Sequence, residues 1–266
     1  LPFNLNGNGS CAGISTKNPA NRVYVGTSTG NLYRLDEAQG TSATFTDLSN
    51  NISGSGYLNC VAVDPENADH AMAIYSSYKV HSIHYTEDGG ATWFRAGGNL
   101  EAATGPEGAP EDLYSISSAP SIRWARIVNT EGGKVYLVGT SVGLFATNKL
   151  EPGVDRTTDA TVWYQVAKSE IGNTLVTMID HRESDRFVAV ATHGAGIFSA
   201  TIPNNWLITD LAEIDRSSDL SVYPNPAINQ FVVLSSAEIN RIEIFDQQGK
   251  KCKELAGNGK QIQINR

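Results

Sequence analysis

Five acidic residues are the first candidates for chemistry. A glycosidase needs two carboxyl groups that face each other across a cleft. The chain offers Asp64, Glu107, Glu111, Asp112 and Asp180. Their spacing in the sequence does not indicate which two of these carboxyl groups would face each other. Asp64 precedes Pro65 in a polar turn, and Asp180 is assigned to the equivalent turn of a later segment, so we expect both to be structural.

The basic side chains do not complete a catalytic set either. Arg123 and Arg126 are three apart in a predicted strand, so they should face opposite ways and act as ordinary cross-strand or rim charges. The histidines show no metal-ligand spacing: His81 and His84 are again three apart, and His193 sits in a glycine-rich turn. We expect hydrogen-bonded surface or rim histidines, no catalytic residue, and neither a metal nor a cofactor.

Composition indicates many short strands. The 266 residues include Gly 25 and Pro 10 but only Met 2, which favours turns and strands over helices. A net charge of −8 argues against nucleic-acid binding. No apolar run approaches the roughly 18 residues of a membrane-spanning helix. Because the first residue is Leu1, we expect the sequence to be part of a longer protein.

A four-strand unit recurs along the first 202 residues. Ile14 and Val63 occupy the same place in successive units, 63 − 14 = 49 residues apart. One turn also recurs three times, at 26–30, 139–143 and 191–196. Repeats of four strands near this period are typical of β-propeller blades. Four units are visible, and the fourth lacks a clear outer strand.

The three cysteines do not form a metal motif. Cys11 and Cys60 begin the inner strands of neighbouring units, and Cys252 stands alone. Inner strands of adjacent blades are not hydrogen-bonded to each other, so we expect free thiols.

One turn carries a recognisable motif. The Asp-box pattern needs Ser or Thr, then Asp, Gly, Thr and Trp at fixed spacing; these are Thr86, Asp88, Gly90, Thr92 and Trp93. The stretch therefore resembles the Asp-box (BNR, sortilin-like) propellers. The resemblance implies the C-terminal part of a larger propeller, with a complete four-bladed ring as the alternative and residues 1–10 as the tail of an earlier blade. Asp88 would be a turn-former, while Trp93 and Trp163 would be buried at equivalent outer-strand positions.

The resemblance leaves two functions open, because Asp-box propellers include receptors, sialidases and xyloglucan-cleaving hydrolases. One is a binding module for a polysaccharide or surface protein. The other is a glycoside hydrolase, sialidase-like or xyloglucanase-like, whose catalytic residues lie largely in other blades. A long insertion at 100–120, on the side of the 27–30 turn, is either a binding loop or a plain surface loop.

The chain changes character after residue 202. Residues 203–218 are expected to be a linker and 219–266 a second domain. This domain carries Tyr223-Pro224-Asn225-Pro226 and a strand–turn segment ending in Asp246, Gly249 and Lys250. Both motifs resemble the type A sorting domain of the type IX secretion system of Bacteroidetes. The resemblance implies an Ig-like β-sandwich, which we expect to be truncated because the closing strands of the family are not in this sequence. It also implies the outer-membrane translocon and shuttle proteins as partners, and a secreted or cell-surface protein of a Gram-negative bacterium.

Overall fold

The protein is almost entirely β-structure. The computed structural model describes residues 5–15, 17–54, 56–76, 80–101, 119–152, 161–206, 208, 221–223, 230–245 and 251–265. Among these residues the only helical turn is a 3-10 turn at Gly98–Leu100, and no α-helix occurs. The chain divides into two compact units, residues 1–208 and 209–266. The all-β prediction is therefore confirmed.

Four antiparallel sheets follow one another in the first unit. Sheet 1 contains β1 (Gly9–Ser15), β2 (Arg22–Thr27), β3 (Leu32–Asp36) and β4 (Thr44–Asp47). Sheet 2 contains β5 (Leu58–Val63), β6 (Ala71–Tyr75), β7 (Ile83–Thr86) and β8 (Phe94–Arg95). Sheet 3 contains β9 (Ile122–Thr130), β10 (Gly133–Thr140), β11 (Gly143–Thr147) and β12 (Tyr164–Val166). Sheet 4 contains β13 (Val176–Arg182), β14 (Phe187–Thr192) and β15 (Ile197–Thr201).

The sheets are stacked in the manner of propeller blades. The first strand of each sheet packs against the first strand of the next, so that β1 contacts β5, β5 contacts β9 and β9 contacts β13. Three apolar clusters fill the spaces between successive sheets. Sheet 2 lies between two of these clusters, and every residue of β6 is accordingly buried. Burial on both faces explains why this strand reads as a continuous apolar run.

The strand register confirms the predicted repeat. Ile14 pairs with Val23 and Val63 pairs with Ala71, each four residues after a β-bulge in the inner strand. Equivalent bulges interrupt β9 and β13. One prediction was wrong at the start of the chain: Gly9 and Ser10 are part of β1, not the tail of an earlier blade. The start of β1 was not recognisable in the sequence, because the bulge at Ser10 adds a residue that breaks the alternation of side chains.

The first unit extends beyond residue 202. The backbone N–H of Gly132 donates to the carbonyl of Asn204 at 2.9 Å. Asn148 donates to the carbonyl of Trp206 at 3.0 Å, and Trp206 and Ile208 pack against the core between sheets 3 and 4. Residues 203–206 and 208 therefore belong to the propeller unit, rather than to the predicted linker.

The second unit contains one described sheet. It consists of β16 (Ser221–Tyr223), β17 (Gln230–Phe245) and β18 (Lys251–Asn265), in that order. The pairing of the two long strands contains register shifts in the middle of the strands. Val233 and Ile264 are its buried apolar residues. The second layer of the expected sandwich stays a prediction.

Candidate functional site

The turn between β7 and β8 is held together by its own side chains. Asp88 accepts from the Thr92 backbone N–H at 2.8 Å and from the Thr92 hydroxyl at 2.6 Å. The Thr86 hydroxyl donates to Asp88 at 2.8 Å and accepts from the Gly90 N–H at 2.9 Å. Gly89 and Gly90 have φ of 71° and 92°, values that favour glycine. These bonds lower the pKa of Asp88, outweighing the opposing effect of its partial burial.

The same turn is fastened to sheet 1. Arg34 donates to the Gly89 carbonyl at 2.5 Å, and Asn51 donates to the Gly90 carbonyl at 3.0 Å. A Cβ added at Gly90 would lie 2.6 Å from Leu48, so the backbone is in close contact with the neighbouring sheet. The carboxylate of Asp88 is thus used in shaping a turn that joins two sheets.

Two tryptophans stand at equivalent positions. Trp93 directly precedes β8 and packs against the core between sheets 1 and 2. Trp163 directly precedes β12 and lies in the core between sheets 2 and 3, only 2 % exposed. The indole N–H of Trp163 donates to the Ala96 carbonyl at 2.8 Å. The two rings are equivalent as predicted, although Trp93 is only half-buried.

Asp64 is a structural carboxylate. It is fully buried, forms an ion pair with the ammonium of Lys134 at 2.6 Å and accepts from Asn129 at 2.9 Å, both in sheet 3. It also accepts from the Glu66 backbone N–H at 2.8 Å, which closes the predicted turn. Burial raises the pKa of Asp64, but the hydrogen bonds and the nearby ammonium group outweigh it and lower the pKa overall. The carboxylate therefore remains ionised as part of an inter-sheet ion pair.

Asp180 has a different place from the one expected. It lies in β13, which continues to Arg182, and not in a turn, because the hairpin pairing extends to Arg182 and Phe187. Its exposed carboxylate is 3.4 Å from the guanidinium of Arg126. The remaining carboxylate candidates, Glu107, Glu111 and Asp112, lie outside the described residues.

The two arginines point to different neighbours. Arg123 donates to the Ser76 hydroxyl of sheet 2 at 3.0 Å, whereas Arg126 faces sheet 4 through Asp180. The guanidinium of Arg126 also lies 5.4 Å from the centre of the Trp124 ring, a cation–π distance. They therefore do not converge on one anion.

The histidines differ in burial. His84 is 1 % exposed, so the prediction of a surface or rim residue was wrong for it. It lies in β7, packed edge-on against Tyr75, and burial lowers its pKa to about 3. His81 lies 3.3 Å from Glu101, and His193 is exposed in its turn. Within the described ranges, no three acidic, histidine or cysteine side chains are placed to hold a metal ion.

The cysteines are free, as expected from their positions. Cys11 and Cys60 lie in β1 and β5 and donate to the carbonyls of Leu58 and Ala125 in the next sheet. Burial raises the pKa of both thiols, that of Cys11 to about 12. Neither is an activated nucleophile.

The four inner strands begin at the same end of their sheets, and we call this end the mouth. Each inner strand begins there with its bulge, at Ser10, Asn59, Arg123 and Thr177. Ser10 donates to the Leu58 carbonyl and Asn59 to the Arg123 carbonyl, so bulge side chains link successive sheets. The alternation rule could not reveal these positions, because a bulge breaks the period of two.

At this mouth, Ser76 connects the backbone of Tyr57 with the side chain of Arg123. Tyr57 is 44 % exposed, and its carbonyl accepts from the Ser76 N–H at 2.9 Å. Ser76 in turn accepts from Arg123, whose buried Nε has no partner among the described residues. Glu101, where the 102–118 segment begins, accepts from the Ser82 and Ile83 N–H groups between β6 and β7. The insertion noted in the sequence therefore starts at this same end.

The sorting-domain motifs are mostly outside the described residues. Tyr223 ends β16, whereas Pro224, Asn225, Pro226, Asp246, Gly249 and Lys250 are not described. The charged side chains next to the second motif are described: Lys251 contacts Glu254 of its own strand at 2.5 Å and Glu243, across the hairpin, at 3.3 Å.

A family comparison decides the role of the second unit. Residues 221–266 match the family model described as a secretion system C-terminal sorting domain. The chain is cargo of the type IX secretion system. This domain marks proteins that are exported to the cell surface or the extracellular space, and it implies contact with the secretion machinery. The described residues contain no helix that could cross a membrane.

Solved structures offer a weaker comparison. The chain is 14 % identical to the β-propeller domain of Cps50 (Swd1) from Myceliophteria thermophila, covering 94 % of this chain and 74 % of that one, with a TM-score of 0.47. It is also 14 % identical to a protein described as a 6-phosphogluconolactonase from Bacteroides uniformis, covering 94 % and 72 %, with a TM-score of 0.43. Because both scores are low, the fold assignment rests on the sheets themselves. No curated protein matches the chain.

Proposed function

We propose that the first unit is a binding module, delivered outside the cell by the sorting domain, that recognises a polysaccharide or a surface protein at the mouth. The observation that carries this proposal is that Ser76 joins the backbone of Tyr57, a residue that is 44 % exposed, to the guanidinium of Arg123. An aromatic face can stack on a sugar ring or an apolar side chain, and a guanidinium can bind hydroxyl or carboxylate oxygens.

The turn between β7 and β8 supports an Asp-box propeller. In this turn Asp88 is hydrogen-bonded to Thr86 and Thr92, so these motif residues determine the shape of the turn. The first and last sheets each leave apolar residues uncovered, with Ile14 66 % and Ile197 77 % exposed. Uncovered sheet faces of this kind suit a ring with further blades, so we propose that the four sheets belong to a larger propeller.

The described residues give no support to a glycoside hydrolase. Asp64 is in a buried ion pair, Asp88 is engaged in its turn, and Asp180 lies against Arg126. We therefore propose the binding role alone.

The test is binding by the full chain to a panel of immobilised polysaccharides and isolated outer-membrane surface proteins. Tyr57→Ala and Arg123→Gln should each weaken any interaction by about tenfold, the cost of removing a central contact. Lys149→Ala is the matched control, because Lys149 is a highly exposed residue at the other end of sheet 3. Equal binding by all three variants would place the ligand elsewhere.

A further inference from the structure

In the part of the chain that the structure describes, the fourth sheet has no outer strand. Sheets 1, 2 and 3 each have four strands, whereas sheet 4 has three and ends at β15. Among the described residues, no strand pairs with the outer edge of β15. An uncovered edge of this kind can accept a further strand through its backbone groups.

A cleft opens beside that edge. It has a volume of about 440 Å³ and lies between sheets 3 and 4. Its walls are mainly apolar and include Leu137, Leu144, Val166, Val190 and Phe198. Trp206 forms part of the wall but leaves the cleft open. The volume is large enough for a big side chain.

The two preceding sheets show which side chain fills the equivalent position. In each, a tryptophan directly precedes the outer strand and covers the core shared with the previous sheet, Trp93 before β8 and Trp163 before β12. An aromatic residue follows in both, Phe94 and Tyr164. The position that a third such tryptophan would fill, on the core between sheets 3 and 4, is the cleft.

The register makes this correspondence specific. The Trp163 indole donates to Ala96, whose N–H bonds to the carbonyl of Ile83. In sheet 3 the residue equivalent to Ile83 is Leu144, which pairs with Val166. Val166 is therefore the equivalent of Ala96, and it lines the cleft. An indole bound in the cleft therefore has the Val166 carbonyl within reach, just as Trp163 has the Ala96 carbonyl.

We propose that sheet 4 binds an extended segment of a partner polypeptide, in which a tryptophan is followed by a second aromatic residue. The segment adds to β15 as an antiparallel strand, with the indole in the cleft. Backbone hydrogen bonds supply the general affinity and the cleft supplies the preference for tryptophan, as in other cases of strand addition. By analogy with Ala146 and Tyr164, the second aromatic residue lies opposite Ser199.

The backbone of Ser199 offers a way to block the edge. The Ile202 N–H donates to Arg186 in β14, at 3.0 Å. Because donors alternate along a strand, the N–H groups of Ala200 and Phe198 also face β14, and that of Ser199 faces outward. Ser199→Pro therefore removes an outward donor and leaves the pairing with β14 in place. Ser199→Ala is the matched control.

The experiment measures the binding of a labelled peptide to the full chain by fluorescence anisotropy. The probe has the sequence of residues 159–168, which contains the outer strand of sheet 3. We expect saturable binding, and a loss of about tenfold or more when Trp163 of the peptide is replaced by Ala. Ser199→Pro in the protein should weaken binding by a similar factor, and Ser199→Ala should not. A second variant, Ala200→Trp, fills the cleft from its exposed wall and should also weaken binding if Ser199→Pro fails to fold.

Three outcomes would overturn the proposal. The first is equal binding by the tryptophan and alanine peptides, or the absence of binding. The second is protection of the β15 amides from hydrogen exchange before any peptide is added, which would mean that the chain itself covers this edge. The third is a dimer in solution that Ser199→Pro dissociates, which would assign the edge to a second copy. None of these results depends on the proposed binding site at the mouth, which uses different residues.

Discussion

At the scale of single residues, burial decides the role of each ionisable group. The buried carboxylate of Asp64 forms an ion pair with Lys134 of the next sheet, so the charge of each group is compensated by the other. Removing one partner of a buried pair is costly, because the remaining charge is left without compensation. Asp88, by contrast, is an exposed residue whose oxygens are used by its own turn. The same side-chain chemistry thus joins two sheets in one case and closes a turn in the other.

His84 should make the stability of the propeller unit depend on pH. Its pKa is about 3 in the folded protein, because burial disfavours the charged ring, and about 6.5 in an unfolded chain. As the pH falls below 6.5, the unfolded state binds the proton first. The stability is therefore complete above 6.5 and decreases as the pH falls toward 3, by about 1–2 kcal/mol between pH 7 and pH 5.

Urea unfolding at the two pH values measures this effect. His84→Phe should reduce the difference between them, whereas His193→Asn, at an exposed turn position, should leave it unchanged. His70 also has a lowered pKa, with burial as the main cause, so some pH dependence should remain in the His84 variant. An unchanged pH dependence in the His84 variant would show that the ring becomes charged without unfolding.

At the scale of elements, the outer strands are short and depend on the tryptophan that precedes them. β8 has two residues and β12 has three, too few to be stable through backbone pairing alone. Trp163 fastens β12 to sheet 2 through its ring and its indole N–H. Sheets 2 and 3 therefore each hold the outer strand by a tryptophan that packs against the preceding sheet.

Trp163→Ala should destabilise the unit by about 3–5 kcal/mol, the usual cost of truncating a buried large aromatic ring. Trp93→Ala should cost less, because the Trp93 ring is only half-buried. Chemical denaturation of the two variants at the same pH gives both values. A larger loss for Trp93 than for Trp163 would contradict the burial seen here.

At the scale of the whole molecule, two units divide the tasks. The propeller unit ends after Ile208, with its last described residues packed on sheet 3. The sorting domain carries the export address. The two cores are separate in sequence, so each should keep its own task when the other is removed.

Residues 1–208 should fold alone and remain in the periplasm. We expect a thermal midpoint within about 4 °C of the first unit in the full chain, a difference of no more than about 1 kcal/mol. In a type IX-competent host, the full chain should appear outside the cell and residues 1–208 should not. Export of the shorter form would show that the sorting domain is not the only address. Unfolding of the shorter form would place essential contacts after Ile208.

The sequence by itself determined the kind of fold and the destination of the protein. A repeat of 49 residues, short alternating strands and glycine-rich turns require antiparallel sheets that bury their faces on each other, and these signals are local. The sorting motifs are likewise readable from contiguous residues. Only the tertiary structure decided which groups meet across sheets, such as Asp64 with Lys134 or Arg123 with Ser76. It also decided that His84 is buried, that Ser10 belongs to the first blade and that sheet 4 has an open edge beside a cleft. Those features depend on side chains from distant units and on bulges that break the period of two, so no local pattern records them.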